Sequence, residues 1–214
     1  MKYRLTDETI EKNGITLHRI QATKDFAIVC KGDLGGFVES ENNLSHEGDA
    51  WVWDDAEVYD NARVYGDAWV YGKAEVYGDA WVCGNAKVYG NAKVYGVARV
   101  YGIAQVYNQA WVYGKADVCD NAQVFGNAKV YGNAIVHDNA WVYGKAWVCG
   151  VARVCGNARV YGNARVCGDA KVCGNATVYN AWVYDKAQVY DFAQVDGDAQ
   201  VYGNAEVCGN WELL

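Results

Sequence analysis

From Gly48 to Asn210 the chain repeats one six-residue pattern of small, variable, apolar, aromatic and two turn-forming positions, Ala-x-Val-Tyr-Gly-Asn. Ala stands at 50, 56, 62 and every sixth position through 176; after a five-residue step at Tyr179-Asn180-Ala181 the series resumes at 181, 187, 193, 199 and 205. A Val follows two places after each, from Val52 to Val207, so two of six positions never change across 27 hexapeptides. Alternation with a period of two puts Ala and Val on one face of a short strand, and x and the aromatic on the other. The position after the aromatic is Gly, Asp or Asn in every copy, the residues that tolerate left-handed backbone. The pattern predicts a strand of about four residues and then a tight corner, repeated along the chain. Three six-residue sides make a coil of 18 residues, and 27 hexapeptides make nine coils. At ~4.8 Å per stacked strand the prism is on the order of 40 Å long. Ala and Val fill its narrow triangular interior.

Residues 1–47 do not repeat and read as a cap and lead-in to the repeat region, 48–210. Thr6-Asp7-Glu8 reads as a turn or short cap, and Ile15–Ile20 and Phe26–Cys30 as two short strands. Lys12-Asn13-Gly14 reads as a hairpin turn. Gly32-Asp33-Leu34-Gly35-Gly36-Phe37-Val38 lacks both the GxGxxG spacing and the Lys-Ser/Thr of a phosphate loop. A turn with positive φ is the expectation there. Val38 and Leu44 fall in phase with the Ala series at steps of six before Ala50, predicting one degenerate coil. Trp211 stands where an Ala is due, and 211–214 read as a plug for the far end. Both ends of a strand stack need such covers.

The pattern Val-x-Gly-x-Ala-x resembles the hexapeptide repeat of the left-handed β-helix family, whose best-known members are acyltransferases. In the head, Lys2-Tyr3-Arg4-Leu5, Gly35-Gly36-Phe37-Val38, Asn43-Leu44-Ser45 and Glu47-Gly48-Asp49-Ala50-Trp51 resemble the YdcK-like acetyltransferase branch, whose relatives also occur in phage and prophage genomes. The resemblance spans nearly the whole chain. It implies an all-β, single-stranded left-handed β-helix of about nine triangular coils. It also implies an acyltransferase using acetyl-CoA as one functional expectation.

Composition narrows the alternatives. A net charge of −7 argues against a nucleic-acid groove, which needs concentrated Lys and Arg. No apolar run reaches the ~18 residues of a membrane span. The N-terminus lacks the apolar core of a signal peptide, so a cytoplasmic location is expected and the eight Cys are expected to be reduced.

Packing fixes the inward positions, so function is expected on the outward ones. Residues 18 apart stack into columns. The first side carries Trp53, Tyr71, Tyr89, Tyr107, Phe125, Tyr143, Tyr161 and Tyr179. The second carries Tyr59, Tyr77, Tyr95, Tyr113 and Tyr131, then Cys149 and Cys167. Trp at the x position, including Trp51, Trp69 and Trp141, enlarges the aromatic surface. Contiguous apolar surface on this scale marks an interface, and a homo-oligomer (dimer or trimer) or a protein partner is expected. The third column runs Tyr65, Cys83, Tyr101, Cys119, His137, Cys155, Cys173, Tyr190 and Cys208. Cys119, His137, Cys155 and Cys173 are successive rungs and are the candidate zinc or copper ligands. Cys149/Cys167 and Cys155/Cys173 fall at disulfide distance. Asn121, Asn139, Asn157 and Asn175 line up as an amide ladder.

An acyltransferase needs a histidine base beside a pantetheine groove. The three His are His18, His46 and His137. His46 is in phase with the inward Val positions, His18 lies in the head, and His137 has Cys rather than Asp or Glu rungs beside it. No extruded loop interrupts the hexapeptides, and three converging His, as a γ-type carbonic anhydrase needs, are not suggested. The expectation is a non-enzymatic solenoid without a cofactor, with acyl transfer through His137 or His46 and a Cys/His metal or redox column as rivals.

Overall fold

The structure, a computed structural model, describes residues 1–210 and 212–213. The repeats wind into a β-solenoid whose three flat sides are stacks of parallel strands, in sheets of ten, twelve and nine strands for the first, second and third sides, the twelve-stranded sheet being extended by antiparallel strands of the head. Each side stacks strands from successive coils. The first side begins at Trp51–Val52, the second at Glu57–Val58 and the third at Arg63–Val64. Partners are 18 residues apart, as in Lys87↔Gln105 and Val88↔Val106. The repeat Ala and Val side chains are fully buried through most of the stack, forming one continuous core from Ala50 to Val201.

Most strands span only x and Val, shorter than the four residues expected. The ladder nevertheless continues past them. In the first coil Trp51 N–H donates to Ala68 O (3.0 Å), Trp53 N–H to Val70 O (2.8 Å) and Asp55 N–H to Gly72 O (3.0 Å). Along most of the stack every second amide, including the one beyond the corner, bonds to the next coil in this way. The residue after the aromatic has positive φ at every corner of the repeat, whether Gly, Asp or Asn. The corner backbones stack directly: a Cβ on Gly102 would meet Asp120 N at 2.8 Å. A long side chain has no room on the axis side of such a corner.

The five-residue step trims one corner and leaves the stacking intact, with Arg165↔Trp182 and Val166↔Val183 still paired. Elsewhere the corner carbonyl accepts the amide of the coil before it, as Gly162 O does from Lys145 N–H at 2.7 Å. At the trimmed corner the Asn180 side chain takes over, its Oδ1 accepting from Asn163 N–H at 2.9 Å. Asn180 itself has φ 58°.

The head differs from expectation in several places. Thr6–Glu8 lies inside a long strand, β1 (Tyr3–Lys12), which pairs antiparallel with β2 (Ile15–Ala22) through a register shift between Leu5 and Thr9. Asn13 and Gly14 both have positive φ, the geometry of a two-residue hairpin turn. Phe26–Cys30 is no strand but a tight turn closed by Phe26↔Val29. Gly35 and Gly36 lie in β3 (Leu34–Val38) and are small for another reason than a turn. A Cβ on either would strike the first coil, 2.5 Å from Val52 O and from Ala56 O respectively. Val38 pairs with Val58 and Leu44 with Val64, so both fill Val rather than Ala positions. The corner after Leu44 is longer by two residues, and that insertion carries His46 out of the inward phase. Half-exposed, the His46 ring stacks on Tyr3 at 4.4 Å and accepts Lys2 N–H at Nδ1 (3.2 Å).

Lys2 closes the first coil. Its buried ammonium donates to Ala50 O (2.7 Å) and Gly48 O (3.2 Å) and lies 5.0 Å from the Phe26 ring centre. The hairpin tip is tied to the second side by Lys12, which bridges Glu57 (2.7 Å) and Glu75 (3.3 Å). The expected plug residue Trp211, like Leu214, lies outside the described residues, whereas Glu212–Leu213 pairs with Gln194–Val195.

Two outcomes follow. Asn180→Ala loses a hydrogen bond worth about 1 kcal/mol and forces left-handed backbone on Ala at roughly 1 kcal/mol. Urea unfolding should show a loss of about 2 kcal/mol, of which Asn180→Gly recovers the backbone part. Desolvation holds the Lys2 pKa at about 8, against 10.5 for a free lysine. The unfolded chain therefore keeps that proton longer as pH rises, and stability gains between pH 8 and 10.5. The melting temperature of the wild type should climb relative to Lys2→Met from pH 7.5 to 9.5; parallel curves would contradict this.

Candidate interaction surfaces and the cysteine–histidine column

On the first side, rings from Tyr71 to Tyr179 form one unbroken stack. Tyr71–Tyr89 are 4.6 Å apart, Tyr89–Tyr107, Tyr107–Phe125, Phe125–Tyr143 and Tyr143–Tyr161 each 4.8 Å, and Tyr161–Tyr179 4.7 Å. The rung spacing of parallel strands sets this distance, which falls in the favourable range for offset rings. Trp53 turns instead toward Trp51, edge to face at 6.3 Å. Trp51 is fully buried, packed against Tyr3 and Phe26. It is therefore lost to any outer surface, because the head lies over that end of the first side. Trp69 and Trp141 remain outward, next to Lys87 (5.0 Å) and Arg159 (5.2 Å). Trp141 and Tyr179 are each 37% exposed.

The second side stacks Tyr59 through Tyr131 at 4.9 to 5.0 Å, after which Cys149–Cys167 takes the next two rungs as a disulfide. Beside this stack runs a ladder of alternating cations and indoles, which the sequence pattern did not single out. Lys129 lies 4.6 Å from Trp111 and 5.6 Å from Trp147; Arg165 lies 4.6 Å from Trp147 and 4.8 Å from Trp182. The spacing of 18 between Trp111, Lys129, Trp147 and Arg165 was the available signal. With Lys145 they line an open groove of about 500 Å³. Burial raises the phenol pKa along both stacks, at Tyr71, Tyr89, Tyr95 and Tyr107 among others.

The third side does not present its expected ligands as a free row. Cys155 and Cys173 are joined as a disulfide with Cα atoms 4.6 Å apart. Four of the eight Cys are thus paired, contrary to the expectation of reduced thiols. Cys119 is buried, its pKa raised by desolvation, and Tyr101 is pushed up to about 12 by its hydrogen bond to Cys119 and by burial. His137 Nδ1 lies 3.3 Å from Asp138 Oδ2, so a carboxylate does stand beside it, at the corner. The Asn121–Asn139–Asn157–Asn175 amide ladder is present, with links of 3.2, 3.3 and 3.0 Å.

The three histidines do not converge on one site. His18 Nδ1 lies 3.2 Å from Thr6 O within the hairpin, His46 caps the N-terminus, and His137 stands on the third side. The open grooves of about 610 and 500 Å³ on the third and second sides are lined by Trp, Lys, Arg, Asn and Asp side chains among others, with no histidine. No helix among the described residues is long and apolar enough to cross a membrane.

A family model described as "YdcK Beta solenoid repeat" matches residues 56–72, 122–138 and 152–168. No curated protein matches the chain. The matched segments each cover most of one coil, and the parallel three-sided stack agrees with them. By its architecture and its matched repeats, the chain is a β-solenoid repeat protein.

Proposed function

We propose that the protein is a rigid, non-enzymatic scaffold that self-associates through its first side. The observation that carries this reading is the seven-ring stack from Tyr71 to Tyr179, edged by the exposed Trp141. The x column of that side, from Trp69 to Gln194, carries two cations, Lys87 and Arg159, and no acid. Polar corner residues flank it on either edge, Asn91, Gln109 and Asn127 along one and Asn121, Asn139 and Asn157 along the other. An aromatic centre with a polar rim is the usual anatomy of a protein interface.

Size decides between a weak and a strong contact. Eight rungs at ~4.8 Å and a side about 15 Å wide give roughly 570 Å² per partner, or about 1,100 Å² buried in a pair. That clears the ~1,000 Å² expected of a specific interface, at its low end. A flat face that pairs with its own copy closes by a two-fold axis, so the proposed assembly is a dimer. Ring stacking within each chain has already fixed the aromatic side chains, which lowers the entropic cost of docking.

The double variant Trp141→Glu/Tyr179→Glu should be monomeric by size-exclusion chromatography with light scattering, where the wild type is dimeric. Trp182→Glu, on the second side, should remain dimeric. A wild type that is monomeric at tens of micromolar, or loss of the dimer only with Trp182→Glu, contradicts the assignment to the first side.

A further inference from the structure

His137, Asp138 and Cys155 each offer one ligand atom, all within 4.8 Å of one another. We propose that in the reduced protein this cluster, completed by Cys173, binds one borderline-soft divalent cation of the zinc type. The disulfide form described above is then the metal-free state of the same site.

The donor set fits the ion. Imidazole, carboxylate and thiolate are all zinc ligands, with bonds of about 2.0–2.3 Å. A tetrahedron of such bonds has donors ~3.3–3.8 Å apart, which the His137–Asp138 pair already meets at 3.3 Å, so only the wider separations have to close. Side-chain rotation on the outer face can supply that, because no interior packing holds these groups. Asp138 is already oriented: its Oδ2 accepts Gly156 N–H at 2.9 Å and faces His137 Nδ1 at 3.3 Å. A backbone donor behind a ligating carboxylate is a common way of aiming it. Cys173 is one rung beyond Cys155, its sulfur bonded to that of Cys155, so reduction frees a second thiol next to the cluster. The single row of Cys and His rungs on the flat side would offer ligands in a line. Asp138 at the corner supplies a donor off that line, as a tetrahedron requires.

Metal and disulfide exclude one another. The disulfide takes two electrons and two protons to give two thiols, and metal binding releases those protons as the thiolates form. A bound ion therefore holds the site in its reduced form, and oxidation to the disulfide expels it. Cys119 is no part of the set, being buried with its thiol directed to Asp120 Oδ2 at 3.8 Å.

The full chain is treated with a trialkylphosphine, which takes oxygen from water to become the phosphine oxide as the disulfides become thiols. It is then incubated with zinc, desalted anaerobically and assayed by elemental mass spectrometry. The expected result is about one zinc per reduced chain and none on the untreated, disulfide-bonded chain. Cobalt in place of zinc should give a thiolate charge-transfer band. His137→Ala and Cys155→Ser should each weaken binding at least tenfold, with unchanged circular dichroism, since the outer column already accepts Tyr, Cys and His. Cys119→Ser should bind as the wild type does. A reduced chain without zinc, equal zinc on the oxidised chain, or full retention by His137→Ala overturns the proposal.

Discussion

Each coil is held to the next by backbone hydrogen bonds that run on through nearly every corner, and this continuity governs the rest of the molecule. A corner residue must turn the chain by a side of the prism and still aim its carbonyl along the axis. Positive φ achieves both, and only Gly, Asn and Asp reach it at low cost. The corners at Gly102 and Asp120 show the result, with backbone on backbone at contact distance. Where one residue is missing, the Asn180 amide replaces the carbonyl that the trimmed corner can no longer present. The same constraint leaves the interior only wide enough for Ala and Val.

Because the coils repeat at the strand spacing, any outward residue type that recurs every 18 positions becomes a column. Aromatic rings suit this spacing, and so does a cation between two indoles, as Lys129 and Arg165 show. Such columns cover the sheet and satisfy side chains along it, for example when the Tyr89 hydroxyl donates to Gln105 (3.1 Å). They also make an extended and rigid surface. The proposed dimer uses that rigidity rather than a pocket, and it needs no group to move.

The repeat region was legible because its inward pattern is a direct statement of the period: Ala50, Val52 and their successors could be placed by counting. The cysteine pairs and the Asn121–Asn175 ladder followed from the same count. The head was less legible. Val38 and Leu44 look in phase in the sequence, but two extra residues after Leu44 move them to Val positions and free His46 to cap the N-terminus. Trp51 has the sequence context of an outward residue and is buried only because Tyr3 and Phe26, distant in sequence, pack on it. Gly35 and Gly36 are small because the first coil's carbonyls lie against them, a contact no local motif encodes. On the third side, the period placed Cys155 beside His137, but Asp138 came into the cluster only with the geometry of the corner.

In the proposed dimer the outer columns of the solenoid serve as an association surface and not a catalytic one. Native mass spectrometry of the purified wild-type chain, with no ligand added, separates the two roles. The expected spectrum has a principal species at twice the chain mass with no retained coenzyme. A monomer as the sole species, or an adduct of coenzyme mass, would contradict it.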